Sequence, residues 1–176
     1  MSKPELTIRA AVPGDMDAII ELIHLKAEFD GCPEAVAATA DQLRNDLFGE
    51  KVLASVLLAE LEQEAIGFAT YHPIYSTFLA KPGIWLDDLY VKAEYRSQHI
   101  GRALISRLCQ IAQECGCGRV DWTVATNNPR GIRFYKNIGA KVLEQVRLCR
   151  LDKEMIARNA AFASSFASTL AVNRKI

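Results

Sequence analysis

The sequence predicts an α/β fold in which a central mixed, twisted sheet is flanked by helices. Three observations lead there. Apolar runs of strand length alternate with amphipathic runs of helical period, with no linker-like stretch between them. Half of the 176 residues are apolar, enough to bury a sizeable core, and the length suits one domain. The two central β-rich runs, 51–61 and 65–75, are joined only by Glu62, Gln63 and Glu64, a hairpin-length connection.

Each element has a local reason. "LTIRAA" (6–11) alternates as a short strand and ends at Pro13-Gly14-Asp15, where Asp15 is placed to cap a helix running to about Phe29. Within that helix Met16, Ile19, Ile20, Ile23 and Leu25 recur at roughly helical spacing and form its apolar face. A second helix is expected from Thr39 to Phe48, ended by Gly49. After the hairpin, "GIWLDDLYVKAEY" (83–95) reads as a strand interrupted by two acids. The strongest helix signal covers 100–116, with Ile100, Ala103, Leu104, Leu108, Ile111 and Ala112 on one face and Gly116 or Gly118 to end it. "RVDWTVAT" (119–126) is expected to be a strand, and "NNPRGIRFYKNIG" (127–139) a short helix with Pro129 in its first turn. "AKVLEQVRLCRL" (140–151) is expected to be a final strand or hairpin.

Composition excludes several classes of function. Lys plus Arg and Asp plus Glu both number 21, so the net charge is zero and no basic stripe offers a nucleic-acid footprint. Cys32, Cys109, Cys115, Cys117 and Cys149 have neither disulfide-framework nor zinc spacing, and are read as buried free thiols in a reducing compartment. His24, His72 and His99 have no second ligand at metal spacing, so no metal is expected. Trp85 and Trp122 fall in strands and are expected in the core. The first 15 residues contain no signal-peptide apolar segment, and 160–172 is too short and serine-rich to span a membrane. The expectation is a cytoplasmic protein with neither membrane nor nucleic-acid partners.

One junction carries chemistry. A strand ending near Val91, the loop "KAEYRSQH" and a helix opening at Ile100 direct unpaired N–H groups and the positive end of a helix dipole to one point, which suits a phosphate or pyrophosphate. Arg96 and Arg102 are positioned to add charge-assisted contacts, or to be ordinary solvated side chains.

"YRSQHIGRALI" resembles the acyl-CoA loop of the GNAT superfamily of N-acetyltransferases, in which Arg or Gln is followed by two residues, Gly, any residue, and Gly or Ala. Arg96 and Gly101 match, whereas Ser97 and His99 stand where glycines are usual. Serine is small and histidine visits the left-handed region more readily than most residues, so the departure strains the loop without abolishing it. "NNPRGIRFYKNIGA" is similar to the GNAT segment in which Asn precedes a short helix ending in Phe-Tyr, with Asn128, Phe134, Tyr135 and Gly139 in those places. "WLDDLYVKAEYR" resembles the corresponding strand of the spermidine/spermine N-acetyltransferase subfamily. The resemblance runs from about residue 6 to 158 and implies one GNAT acyl-CoA N-acyltransferase domain over 1–158; the extension over 159–176, dominated by small and apolar residues with no proline, is expected to be helical.

The resemblance also implies a mechanism. An alkyl ammonium is almost entirely protonated at pH 7, and only the neutral amine attacks a thioester, so a base is needed directly or through water. Asp87 matches the family's acid, one methylene shorter than the usual Glu, and Asp88 would face the opposite side of a regular strand. Tyr135 matches the family's general acid for the coenzyme A thiolate, although a Tyr beside Phe on a short helix also suits core packing. The backbone N–H of Leu89 or Tyr90 would serve the thioester carbonyl, and main-chain groups of Leu89, Tyr90 and Val91 the pantetheine arm. The acetyl-CoA pyrophosphate falls to the loop Ser97, Gln98, His99, Ile100, Gly101, Arg102 and Ala103, with Arg96, and further contacts to Asn128, Pro129, Arg130 and Gly131. Phe29 and Asp30, with Asp87, Asp88 and Glu28, would form an acidic cleft for a polyamine, a diamine or a lysine-like amine. Family precedent adds a homodimer. Two alternatives stay open: a catalytically weak acyl-CoA-binding module, and an acetyltransferase acting on a protein lysine or N-terminus.

Overall fold

The computed structural model describes residues 5–162. Strands β1 (Leu6–Ala10), β2 (Ser55–Leu61), β3 (Glu64–Ser76), β4 (Lys81–Val91) and β5 (Val120–Asp121) form one sheet in the order β1-β2-β3-β4-β5. The first four pair antiparallel with their neighbours and β5 joins β4 in parallel, so the sheet is mixed as expected. Helices α1 (Met16–Asp30), α2 (Ala40–Phe48), α3 (Ile100–Glu114) and α4 (Pro129–Asn137) complete the architecture.

Burial explains why β2 lies inside. Val56 and Leu58 join Met16, Ile19 and Leu22 of α1, Leu47 of α2, Phe68 and Tyr90 in one cluster. Leu57 and Ala59 alternate with them, are equally buried, and therefore face the other side of the sheet, where α3 packs on β2, β3 and β4. Leu104 and Leu108 of α3 are fully buried there. At about 25 cal/mol per Å², a buried leucine contributes roughly 2 kcal/mol, so both faces contribute to holding the sheet.

The helix ends follow their local chemistry. Thr39 Oγ1 accepts from the Gln42 N–H at the start of α2 while Gln42 reaches back to the Thr39 N–H, a reciprocal cap. Gly31 ends α1 with φ 75°, where a Cβ would be strained. Asp15 does not cap α1 through its side chain. Its carboxylate accepts instead from the Val12 N–H and from Arg9.

Four further expectations are corrected. The run 140–151 contains no strand: residues 141–150 are exposed and irregular around a turn at Glu144 and Gln145. An alternating sequence becomes a strand only when another edge takes up its N–H and C=O groups, and no described strand pairs with it. The strand expected over 119–126 is reduced to Val120–Asp121. The cysteines are free but not buried, with Cys109, Cys115 and Cys149 exposed and Cys32 and Cys117 half-buried. Trp85 and Trp122 are also half-buried, Trp85 on β4 beside Asp121 of β5 and Trp122 just past the end of that strand.

The chain forms two compact units, dividing between Gly131 and Ile132. In the second unit the chain turns at Gly139, with φ 91°, and a helical run covers 153–162. The rest of the expected helical extension, 163–176, lies outside the described residues. Among the described residues, no helix is long and apolar enough to cross a membrane.

Candidate active site

Beyond its pairing with β5, β4 has a change of register that sets out the site. Ile84 and Trp85 pair with Val120 and Asp121, and no described strand continues the pairing on that side towards Val91. On the other side, Thr70 of β3 pairs with Asp88 and Tyr71 with Leu86, which leaves Asp87 as the extra residue of a β-bulge. Strict alternation would put Asp87 and Asp88 on opposite faces, and the bulge relaxes that rule where the edge of β4 opens. Gly67 permits the close approach of β3 beside it, since a Cβ there would lie 2.7 Å from the Tyr90 carbonyl oxygen.

The two acids have different surroundings. Asp87 is exposed, and its Oδ1 accepts from Trp85 Nε1 at 3.3 Å. Asp88 is partly buried, its Oδ2 accepts from the Thr70 hydroxyl at 3.1 Å, and its own N–H donates to that hydroxyl at 3.0 Å. Lys26 Nζ lies 3.5 Å from Asp88 Oδ1 and also pairs with Asp30 one helical turn away. Burial pushes the Asp88 carboxyl above its ordinary pKa, Lys26 opposes that, and the neighbouring Asp87 charge adds to it. Burial works against the Lys26 ammonium, yet its contacts with Asp30 and Asp88 leave it above the ordinary lysine value.

At the end of β4 the loop takes the shape its helix needs. Ser97 has φ 66° and His99 φ 64°, so these two residues adopt the left-handed conformation that glycine favours. The Ala103 N–H donates to the His99 carbonyl at 2.9 Å, and the N–H groups of Ile100, Gly101 and Arg102 precede that first helical bond. No acidic residue occupies the first turn of α3. Arg130 Nη2 donates to Ser97 Oγ at 3.2 Å, tying the loop to the first turn of α4, and Gln98 Nε2 donates to the Glu94 carbonyl at 3.3 Å.

Arg96 is turned to a different task from a solvated cation. Its guanidinium carbon lies 4.4 Å from the Phe29 ring centroid and 5.2 Å from that of Tyr90, and Nε donates to the Val91 carbonyl at 2.8 Å. It therefore clamps the end of α1 to the end of β4, with Phe29 held beside Tyr90 at 6.1 Å between centroids. Asn128 caps α4, its Oδ1 accepting from the Gly131 N–H at 2.8 Å with Pro129 in the first turn. Tyr135 is half-buried in the second unit, its ring 5.2 Å from that of Phe134.

Lys26 and Thr70 were not among the sequence candidates. The spacing of Lys26 and Asp30 on α1 was a usable signal for the first. The contacts of both with Asp88 cross between elements and leave no mark in the local sequence.

A model of the acetyltransferase (GNAT) family matches residues 19–140. The chain belongs to the GNAT acetyltransferase family. Thialysine N-epsilon-acetyltransferase from Sus scrofa is 34% identical over 146 residues, covering 78% of this chain and 85% of its own. L-ornithine N5-acetyltransferase NATA1 from Arabidopsis thaliana is 28% identical, with 85% of each chain covered. Among solved structures, an integron cassette protein from the mobile metagenome of V. cholerae superposes with a TM-score of 0.73 at 28% identity, over 88% of this chain and 97% of that one. An aminoglycoside acetyltransferase from an uncultured soil metagenomic sample shares the fold, with a TM-score of 0.72 at 22% identity over 84% of this chain and 95% of that one. This GNAT protein is thus an acetyl-CoA-dependent N-acetyltransferase. Its own geometry fits that donor: left-handed Ser97 and His99 shape a loop leading into free first-turn N–H groups, and β4 leaves main-chain positions unpaired by any described strand next to it.

Proposed function

We propose that this GNAT enzyme acetylates a primary amine of a small molecule, a polyamine, a diamine or a lysine-like amino acid, by direct transfer from acetyl-CoA. The observation that carries the reading is the exposed Asp87 carboxylate at the bulge of β4, beside the edge that no described strand continues. There Asp87 takes the proton from the acceptor ammonium, directly or through a water, leaving a neutral nitrogen to attack. Main-chain N–H groups around Leu89 and Tyr90 hold the thioester oxygen, and the first turn of α3 holds the pyrophosphate. Tyr135, matched to the family's acid by its place after Asn128, returns a proton to the departing sulfur. The amino-acid acceptors in the names of the thialysine and ornithine relatives support an amine of this size. The same reading takes the enzyme as a cytoplasmic homodimer. The exposed Val142, Leu143, Val146 and Leu148 of the second unit favour a partner surface there.

The test is coenzyme A thiol release across a panel of amines, with Asp87→Asn and Tyr135→Phe beside the wild type. Each variant should lose about 10²-fold or more in kcat while retaining the thermal shift given by acetyl-CoA. Unchanged kcat in Tyr135→Phe removes that residue from its role. Stabilisation by acetyl-CoA with no amine-dependent thiol release replaces the enzyme reading with an acyl-CoA-binding module.

A further inference from the structure

Lys26 changes the charge of the acceptor region. The sequence suggested an acidic cleft made from Phe29 and Asp30 with Asp87, Asp88 and Glu28, and the structure brings a cation to two of those acids. Lys26 Nζ pairs with Asp30 on its own helix and stands 3.5 Å from Asp88 Oδ1 on β4. The side chain is 19% exposed, so its ammonium is held in place by the packing around its stem as well as by the two acids. Thr70 fixes the other oxygen of Asp88, which keeps that carboxylate turned to both partners. Asp87 Oδ1 accepts instead from the neutral Trp85 indole.

We propose that Lys26 is a specificity-determining residue that favours acceptors carrying a carboxylate over polyamines. This rests on the amine-acetyltransferase reading above. When its reacting nitrogen is neutral, a diamine still brings a second ammonium, which must share Asp30 and Asp88 with the ammonium already there. Like charges brought together in a partly buried site disfavour binding. An amino acid of the same length brings an ammonium for the acids and a carboxylate for Lys26. Lys26 then meets an anion, and the added ammonium meets the acids.

Ornithine and 1,4-diaminobutane form a matched pair, since the first is the second with a carboxylate on one terminal carbon. Thiol release with each would be measured for the wild type, Lys26→Met and Lys26→Arg. The wild type should prefer ornithine. Lys26→Met should shift the ratio of kcat/KM towards the diamine by about tenfold, the effect of about one charge contact, mainly through KM. Lys26→Arg, which retains the cation, should keep the wild-type preference. A ratio unchanged in a Lys26→Met protein that melts cooperatively and still binds acetyl-CoA overturns the role of Lys26 alone. If Lys26→Met does not fold, wild-type preference for the diamine overturns it by itself, and preference for ornithine that persists in Lys26→Gln does the same. Wild-type turnover of neither amine overturns the amine reading and this inference with it.

Discussion

Replacing His99 by glycine isolates the conformational cost of the loop. His99 is the N-cap of α3, has φ 64° and makes no side-chain capping bond, so its removal loses little beyond the backbone effect. A left-handed conformation costs an L-residue about 1–2 kcal/mol, towards the lower end for histidine, which enters that region more readily than most. Glycine removes that cost, but its freer unfolded chain takes back about 0.4–1 kcal/mol. The net expectation is a gain of about 0.5 kcal/mol, or roughly 1–2 °C in Tm for a chain of this size. Urea and thermal unfolding of wild type and His99→Gly, with and without acetyl-CoA, measure it. His99→Val supplies the opposite arm and should destabilise by about 1–2 kcal/mol, since a branched Cβ tolerates positive φ poorly. A lower midpoint for His99→Gly, or no loss in His99→Val, would refute the left-handed geometry at this position. Ser97→Gly should come out near neutral, because relief at φ 66° is offset by loss of the exposed bond from Arg130.

Two other substitutions test the neighbourhood of the bulge. Asp88 has its carboxyl raised by burial, so its contribution to stability is fully present below the ordinary carboxylate pKa and is lost as pH rises through the folded value. The stability of Asp88→Asn relative to wild type should therefore increase with pH across that window, read from urea midpoints in a pH series. A difference that stays flat with pH removes the burial argument. Gly67→Ala places a Cβ 2.7 Å from the Tyr90 carbonyl oxygen and should destabilise by about 1–3 kcal/mol, with acetyl-CoA affinity falling as β4 is displaced. Unchanged chemical denaturation would show that β3 and β4 have room to separate.

The division between local and tertiary information can be followed through particular residues. Thr39 with Gln42, Gly31 and the apolar face of α3 each act within a few positions of the chain, and the sequence by itself determined them, together with the hairpin and the GNAT loop. The left-handed demand at Ser97 and His99 was legible only because the family uses glycine there. The segment 140–151 failed as a strand although its alternation is strong, because pairing needs a free edge that its own residues do not supply. The bulge at Asp87 was invisible for the same reason: it is a mismatch of register between β3 and β4, and neither strand records it alone. Lys26 shows the limit most clearly. Its spacing to Asp30 belongs to the helix, whereas its approach to Asp88 exists only once α1 packs on the sheet, since the charge of a site is summed over elements distant in the chain. Sequence alone thus determined the family, the acetyl donor and most of the elements. Tertiary structure alone decided how Asp88 is paired, because Lys26 and Thr70 reach it from other elements.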